Sequence, residues 1–597
     1  MMRRLSGNKT LTPCCVMVAG ADLVLRKNTA RTVTSVFVVA RFKIGHTRRK
    51  FPIARTATSR FIAYLVQSRL IIIPNQAEKC KSFFKKILFF CQSFFGSFGN
   101  VDENRDAHSF QSFIAAGILL CYNKRKTKST EGEKGGNFMN LADCPSLHVI
   151  VLPEWENNTV SSARVSLCLK VPSLQPGELL CSFLDEIYAI PTAIQWDSLE
   201  IKDNVGNLEV RHFHQTGQHE IYHQLFVKRK TEGPILLTYR AAFAPARPNP
   251  VLDMGQEPGG VTGSGYCWMP SFPKNVYQLH MEFSRANLPQ GVRALWAHGE
   301  DCTNLFIRED GLQKVFYCFG KVDCVEHGSF GYYWIAREGV DASPIAHWTA
   351  KVFLKMADFF QDSGESYKIF ARARSCRMSG GTALNRSYTY IYDPQNPPPF
   401  TQLKFLFSHE MVHNWALLFN EPYGTCTWYI EGMAEYYSLV LPWRMGLVSR
   451  EELLIQLNER AEQYYCNPCI EFTNLHLGNL LFHDLEATTV PYGRGLFYLM
   501  EMDHRIRTKT SEKYCLDDVM LKLLHDYRKN PHIQNRAWLE AVSKIAGYDE
   551  TERFLAMCQG IVIPPELSCF TGANFAFQKR NAFTRREKKP CHIYYIH

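Results

Sequence analysis

The chain has 597 residues, which is enough for two or three domains that each bury a full hydrophobic core. Its formal net charge is +11, but the basic residues are concentrated at one end, because residues 1–100 hold 18 Lys+Arg and only two acids. Of the 68 basic and 57 acidic residues in total, 50 and 55 remain for the rest of the chain. Residues 101–597 are therefore slightly acidic. The positive net charge of the whole chain is thus no evidence for a nucleic-acid-binding surface on this part of the protein.

Residues 1–140 form a basic, acid-poor segment with short apolar runs and no sustained helical or alternating period. We expect a disordered extension, or a segment upstream of a true start at Met139; a mitochondrial transit peptide is the alternative. No apolar run reaches the roughly 18 residues of a membrane helix, and no secretory signal with a small-residue cleavage site is present. We therefore expect no membrane or nucleic-acid partner and a cytoplasmic location, with mitochondrial import as the weaker alternative.

Residues 141–290 are predicted to form an antiparallel β-sandwich. Alternating stretches rich in β-branched and aromatic residues are separated by turn signals, which is typical of such domains. The stretches lie at residues 147–152, 163–171, 208–213 and 221–228. A segment rich in proline and glycine, residues 245–265, predicts a long loop or a domain junction.

Residues 291–565 are predicted to form a second domain, in which strands precede a block of helices. Strand-like stretches lie at residues 276–283, 314–319 and 388–392; helical ones lie at residues 401–419, 496–507, 516–528, 538–546 and 550–559. Thr401 is a plausible N-cap for the first helix, after a run of prolines. The fold class is therefore α+β. The basic tail, residues 566–597, is expected to be solvated and disordered.

The most informative stretch is His409-Glu410-Met411-Val412-His413, inside the apolar segment 401–419. Residues four apart lie on one face of a helix, so both imidazoles can reach one metal ion. Glu410 then lies where it can deprotonate a metal-activated water. The alternative is that both histidines are buried in the core and donate hydrogen bonds to backbone carbonyls. The five-residue motif alone does not exclude this alternative.

The sequence after the motif favours a zinc site. Glu431 follows His413 by 18 positions and supplies a carboxylate from a second predicted helix, which completes a two-His, one-Glu ligand set with one position open for water. Glu435 is a rival ligand one helical turn further on. We expect it instead to accept a hydrogen bond from a ligand histidine, or to be a solvated carboxylate.

A tyrosine and two glycines complete the predicted site. Tyr492, in the stretch Val490-Pro491-Tyr492-Gly493, is expected at a helix entrance, where its hydroxyl can donate to a developing oxyanion. The alternative is a tyrosine used in packing. Gly380 and Gly381 precede a strand-like stretch and are expected to bind substrate by allowing close approach of its backbone.

Four segments, HEMVHNW, WYIEGMAEYYS, VPYGRG and LDDVM, together resemble the glycyl aminopeptidase family of HExxH…E (gluzincin) zinc metallopeptidases. The alanyl aminopeptidase and leukotriene hydrolase family is similar at a greater distance. The resemblance implies an N-terminal β-sandwich followed by a thermolysin-like peptidase domain. It also implies His409, His413 and Glu431 as zinc ligands, Glu410 as general base and Tyr492 as transition-state stabiliser.

One departure from the family concerns the residue that binds the free amino terminus of a substrate. Relatives carry a glutamate in the strand before the zinc helix, and Ala383 occupies the equivalent position here. A shifted alignment, with Glu421 or another acid in that role, is the alternative. The strand-like stretch after Ala383 could still pair with a substrate backbone.

The sequence therefore predicts a metallopeptidase with one zinc ion per chain and peptide substrates, aminopeptidase-like but without the amine-binding glutamate; it does not indicate an oligomeric state. Two alternatives stay open: a zinc hydrolase of another bond, such as an epoxide, and a gluzincin fold kept as a binding module with little turnover. Cys466 and Cys469 form a CxxC pair, interpreted as reduced thiols.

Overall fold

A computed structural model gives the architecture of the protein. It describes residues 144–597 except 218–219, 248–250, 337, 375–378, 417–420, 422–423, 482 and 531–533, together with the backbone of three short strands nearer the N-terminus. Those strands, β1 (Ala21–Arg26), β2 (Ser35–Phe42) and β3 (Ile73–Pro74), form an antiparallel sheet. The remainder of the predicted extension over residues 1–140 lies outside the described residues.

The chain divides into two compact units, residues 1–137 and 138–597, and the second unit begins with two sheets. Their strands are β4 (Ser146–Glu156), β5 (Thr159–Lys170), β6 (Leu179–Ile187), β7 (Ile190–Pro191), β8 (Ile194–Asp203), β9 (Gly206–Asn207), β10 (Val210–Thr216), β11 (Glu220–Val227), β12 (Ile235–Ala242), β16 (Val276–Phe283) and β18 (Cys302–Arg308). The first sheet has the order β18-β16-β4-β5-β12-β8-β9 and the second β10-β11-β6-β7. Alternate residues of β4, Leu147, Val149 and Val151, are buried in one hydrophobic core with Phe183 and Leu225 of the second sheet.

The first sheet differs from the predicted sandwich in two respects. Strand β16 pairs with β4 in parallel, so the sheet is not purely antiparallel. Strands β16 and β18 both belong to it, so it extends past residue 290, the expected boundary. Long-range pairing of this kind cannot be deduced from alternation, because alternation specifies a strand but not its neighbour.

A third sheet is mixed. Its strands are β13 (Ala244–Pro245), β14 (Gly255–Glu257), β15 (Gly260–Ser264), β17 (Val292–Trp296), β19 (Phe316–His327), β20 (Phe330–Ile335), β21 (Tyr367–Ala373), β22 (Gly380–Leu384) and β23 (Ser387–Tyr392). They run in the order β13-β14-β15-β19-β20-β21-β23-β22, with β17 also paired to β19. Strands β20, β21 and β23 are parallel, whereas β22 pairs antiparallel with β23.

The helices of the described residues are α1 (Ser343–Phe359), α2 (Phe400–Val412), α3 (Thr427–Arg444), α4 (Arg450–Tyr465), α5 (Asn474–Leu480), α6 (Leu485–Thr510), α7 (Leu516–Lys529), α8 (Asn535–Ala546) and α9 (Thr551–Cys558). Phe407 of α2 packs on Tyr332, Tyr388 and Tyr390 of the third sheet, which fixes α2 against it. None of the described helices combines the length and apolar character needed to cross a membrane.

Helices α3 and α6 lie in close contact through two glycines. A Cβ added to Gly432 would overlap Gly495 Cα, so only glycine permits this approach. Helix α6 starts at Leu485, where the Asp484 side chain accepts from the amides of Glu486 and Ala487. Pro491 and Tyr492 therefore lie inside the helix, and the prediction that Tyr492 stands at the entrance of a helix over residues 496–507 is wrong about where the helix begins.

The C-terminal residues are ordered by packing. Strands β24 (Phe577–Phe583) and β25 (Pro590–Ile596) form an antiparallel hairpin. Ile596 is fully buried, and its backbone exchanges two hydrogen bonds of 2.9 Å with the Asn458 side chain on α4. The expectation of a disordered tail is wrong for this hairpin, because Ile596 is buried in one hydrophobic core with residues of α4, although charged residues surround the hairpin in the sequence.

Candidate active site

The HExxH motif lies at the C-terminal end of α2. His409 is within the last turn and His413 is the C-cap, so the two imidazoles lie on one face with their Nε2 atoms 3.2 Å apart. Pro399 occupies the N-cap position and the helix begins at Phe400, so Thr401 is not the N-cap that the sequence suggested. The predicted continuation to residue 419 is also shorter in the structure, because the described helix ends at Val412.

Helix α3 brings Glu431 to the two histidines. Glu431 Oε2 lies 3.3 Å from His409 Nε2 and 3.7 Å from His413 Nε2. One donor atom from each of the three residues lies within 4.8 Å of the others. Donor atoms around a tetrahedral zinc ion with bonds of about 2.1 Å are roughly 3.4 Å apart. The three residues thus have the spacing of ligands around one ion.

Glu435, one turn along α3, touches the far side of His409. Its Oε1 lies 3.2 Å from His409 Nδ1, while Arg460 of α4 donates to its Oε2. Burial raises the pKa of Glu435, but Arg460 and His409 more than offset this and lower it to about 2. Glu435 therefore stays ionised and holds His409 through Nδ1, leaving Nε2 for a metal. Sequence reasoning missed Arg460, since no local signal links it to a residue on another helix.

The cluster attracts positive charge. Burial lowers the pKa of His409, but the adjacent Glu431 and Glu435 carboxylates outweigh it and raise the pKa to about 10. Glu431 Oε2 has no hydrogen-bond partner among the described residues. A buried carboxylate oxygen without a partner is costly unless a cation binds it. The donor set, two imidazole nitrogens and a carboxylate, is one that zinc accepts, so the residues fit a zinc ion.

Glu410 and Tyr492 lie beside the cluster. Burial raises the pKa of Glu410, and the Glu431 and Glu435 carboxylates add to this; although His409 opposes it, the result is about 7. The Tyr492 ring stacks on His409 with centroids 5.7 Å apart and planes at 10°. Tyr492 belongs to α6, which lies close to α3 because Gly432 and Gly495 are in contact. Burial raises the pKa of Tyr492 well above its usual value, so its hydroxyl stays protonated and can donate.

The strand β22 carries the predicted substrate-binding glycines. A Cβ on Gly381 would overlap the Thr389 carbonyl and the Tyr388 ring, whereas Gly380 faces open space. The neighbouring strand therefore already requires glycine at position 381. Ala383 lies on the same strand, which contains no acid. Glu421 accepts a hydrogen bond of 2.8 Å from the Asn535 amide at the start of α8, which gives this carboxylate a structural partner.

Residues 402–478 match the family model of the M61 glycyl aminopeptidases. This match includes all of α2 but its first two residues, the whole of α3 and all three candidate ligands. It confirms the resemblance inferred from the sequence and supports a metallopeptidase function. No curated protein sequence matches the chain.

Three solved structures are similar to this chain over much of its length. An aminopeptidase N family protein from Idiomarina loihiensis has a TM-score of 0.55 at 15% identity, over 74% of this chain and 80% of that one. Leukotriene A4 hydrolase from Saccharomyces cerevisiae gives 0.45 at 13%, over 73% and 70%. An M1 zinc metallopeptidase from Deinococcus radiodurans gives 0.42 at 15%, over 71% and 94%. At these identities the first match supports a similar mixed α+β fold, and the two lower scores carry no argument.

Proposed function

We propose that this protein is a zinc-dependent metallopeptidase that hydrolyses peptide bonds. The observation that carries the proposal is the convergence of His409, His413 and Glu431, whose donor atoms lie within 4.8 Å of one another around an unpartnered carboxylate oxygen. Bound there, zinc supplies a Lewis acid that polarises the scissile carbonyl and activates water.

The chain's own residues have distinct roles in this proposal. Glu410 accepts a proton from the attacking water and passes it to the leaving amine. The protonated Tyr492 hydroxyl donates to the developing oxyanion. Glu435, held ionised by Arg460, orients His409 and is a positioning residue.

The peptide substrate is proposed to lie along β22. This strand pairs with β23 on one side, and no described strand pairs with its other edge. An extended peptide could therefore add its backbone to this edge, with Gly380 permitting close approach. Because β22 carries no acid to bind a free amino terminus, we expect cleavage of blocked or internally quenched peptides as well as aminoacyl substrates.

The test of the catalytic proposal is Glu410→Gln. Zinc should stay bound, since the ligands are unchanged, while peptide hydrolysis falls by about 10²–10⁴-fold with the general base removed. Glu540→Gln, which alters an exposed glutamate paired with Arg536 on α8, is the matched control and should leave the rate unchanged. Equal rates for Glu410→Gln and the control would remove Glu410 from its role.

A substrate panel separates the remaining possibilities. Aminoacyl-anilides and internally quenched peptides with free or acetylated amino termini should be tested side by side, each with and without zinc. Cleavage restricted to free amino termini would show that an acid outside β22 binds the amine. Turnover of none of them by zinc-loaded protein would favour a different bond, such as an epoxide, or a binding module.

A further inference from the structure

A second cluster of potential metal ligands lies in the β-sandwich, apart from the proposed active site. Asp185 on β6, His214 on β10 and His223 on β11 each place one donor atom within 4.8 Å of the others. Asp185 Oδ2 lies 2.9 Å from His214 Nδ1, and Asp185 Oδ1 lies 3.4 Å from His223 Nδ1. Each imidazole thus lies next to a different oxygen of the one carboxylate, and the three residues are close enough to share an ion.

The strands are arranged so that these three side chains meet. His214 and His223 are direct partners across the antiparallel pair β10 and β11, so their side chains lie on one face. Between β11 and β6, Leu184 pairs with Tyr222 and Glu186 with Ile221, which leaves Asp185 as the extra residue of a β-bulge. A bulge re-aims a side chain out of the regular alternation. Asp185 can thereby reach the two histidines.

Two buried polar atoms of the cluster have no hydrogen-bond partner among the described residues. They are Asp185 Oδ1 and His223 Nδ1. His223 is only 6% exposed, and the Trp196 ring from the other sheet packs on it at a centroid distance of 4.1 Å. Buried polar atoms without partners cost free energy. A cation that binds both atoms removes that cost.

The other ring nitrogen of His223 already has a partner. His223 Nε2 lies 2.7 Å from His212 Nδ1, two residues before His214 on β10. A ligand histidine usually donates its remaining ring N–H to such a group, which fixes the tautomer. When His223 Nε2 donates to His212, the Nδ1 lone pair of His223 is directed toward the Asp185 carboxylate and is available to a cation.

A comparison within the same sandwich shows that these features are not shared by every histidine cluster. His148, His280 and Glu282, on β4 and β16, also have donor atoms within 4.8 Å of one another. His148 and Glu282 are exposed, and none of the three has a buried polar atom without a partner. That cluster is a solvated surface group, and it supplies a matched control.

We propose that Asp185, His214 and His223 form a second zinc site, which ties the edge strand β10 to β11 and β6. Imidazole nitrogen and carboxylate oxygen are ligands that zinc accepts in a tetrahedral site, with water as the fourth ligand. The three ligands link three neighbouring strands, so a bound ion would stabilise the sheet, and the site does not depend on the proposed catalytic function.

Zinc analysis of the full-length protein tests this inference. After saturation with Zn²⁺ and dialysis, the unaltered chain should retain about two zinc ions, and His214→Asn or Asp185→Asn about one. His148→Asn, the control, should retain about two. His212→Ala keeps the ligands but removes the partner of His223, so zinc affinity at this site should fall about 10–100-fold. Peptide hydrolysis by the His214→Asn variant should match that of the control.

A variant with the catalytic ligands removed separates the two sites. His413→Ala/Glu431→Ala should keep about one zinc ion, and Zn²⁺ should still raise its melting temperature, because the ion binds the folded sandwich only. Loss of all tightly bound zinc from this double variant would overturn the second site. An equal loss from His148→Asn and His214→Asn would also overturn it, since it would show adventitious binding to surface histidines.

Discussion

The two ligand clusters of this protein reach nearly the same donor spacing by different routes. In the active-site cluster, His409 and His413 are four residues apart on one helix, and a second helix adds Glu431. In the sandwich cluster, the ligands come from three strands and span residues 185–223, with a bulge to aim one of them. The helical cluster can be recognised from a five-residue motif, whereas the strand cluster depends on pairing that sequence alone does not specify.

The clusters also differ in what surrounds them. The active-site cluster has a third carboxylate, Glu410, and a tyrosine, Tyr492, beside the ligands, and the proposed mechanism uses them as proton acceptor and oxyanion donor. The sandwich cluster has instead a tryptophan over one ligand and an imidazole behind it. We therefore expect one zinc ion to take part in catalysis and the other to stabilise the fold. The following experiments test whether the two sites differ in this way.

The largest expected effect is that of Glu431→Gln. Removing the carboxylate ligand should lower zinc affinity at the active site and reduce peptide hydrolysis by more than about 10³-fold at limiting zinc. The zinc ion of the sandwich should remain. Metal analysis combined with a fluorogenic peptide assay checks both parts, and normal hydrolysis by this variant would contradict the ligand assignment.

Tyr492→Phe should come next. The ring can still stack on His409, so packing and zinc content are preserved, but the hydroxyl donor is lost. Removing one donor to an oxyanion typically costs about 10²–10³-fold in kcat. The assay should show a reduced kcat with little change in KM. If kcat is kept, Tyr492 is a packing residue, as the alternative interpretation of the sequence holds.

Arg460→Gln tests the support of a proposed metal ligand, because Arg460 contacts Glu435 and Glu435 contacts His409. Burial raises the pKa of Glu435, and the guanidinium of Arg460 counters it, so the variant should weaken the hold of Glu435 on His409. We expect zinc affinity at the active site to fall about 10–100-fold. Competition with a chelator measures this, and unchanged affinity would make the Arg460–Glu435 contact purely structural. The corresponding change in the sandwich is His212→Ala.

The smallest effect is expected from Asn458→Ala, which removes both side-chain hydrogen bonds to the backbone of Ile596. The free energy of unfolding should fall by about 1–3 kcal/mol, because a buried backbone group loses its partner. Urea unfolding measures the loss, and zinc content should not change at either cluster. A loss of zinc would mean that the C-terminal hairpin supports a ligand cluster.

Much of the site could be predicted from sequence because its information is local. The HExxH spacing, the carboxylate 18 residues later and the helix that bears Tyr492 each depend on residues near one another in the chain. The structure brings all of these residues together. What depends on distant partners was missed, including Arg460 behind Glu435 and the role of Glu421 at the start of α8.

In the fold, too, the features set by local sequence could be predicted, and those that depend on distant residues could not. The two-residue alternation in β4 and the helical block after residue 400 were readable from the sequence. The parallel pairing of β16 with β4, the start of α6 ahead of Pro491 and the docking of the C-terminal hairpin were not. Each of these is decided by tertiary packing, which overrides local propensity.

The most direct test of the central claim is peptide hydrolysis by the full-length chain after zinc removal and after zinc is restored. The metal-free protein should stay folded but lose hydrolysis, and adding Zn²⁺ should restore hydrolysis in the unaltered chain but not in Glu410→Gln. Hydrolysis that persists in the metal-free protein, or that zinc restores equally in Glu410→Gln, would contradict it.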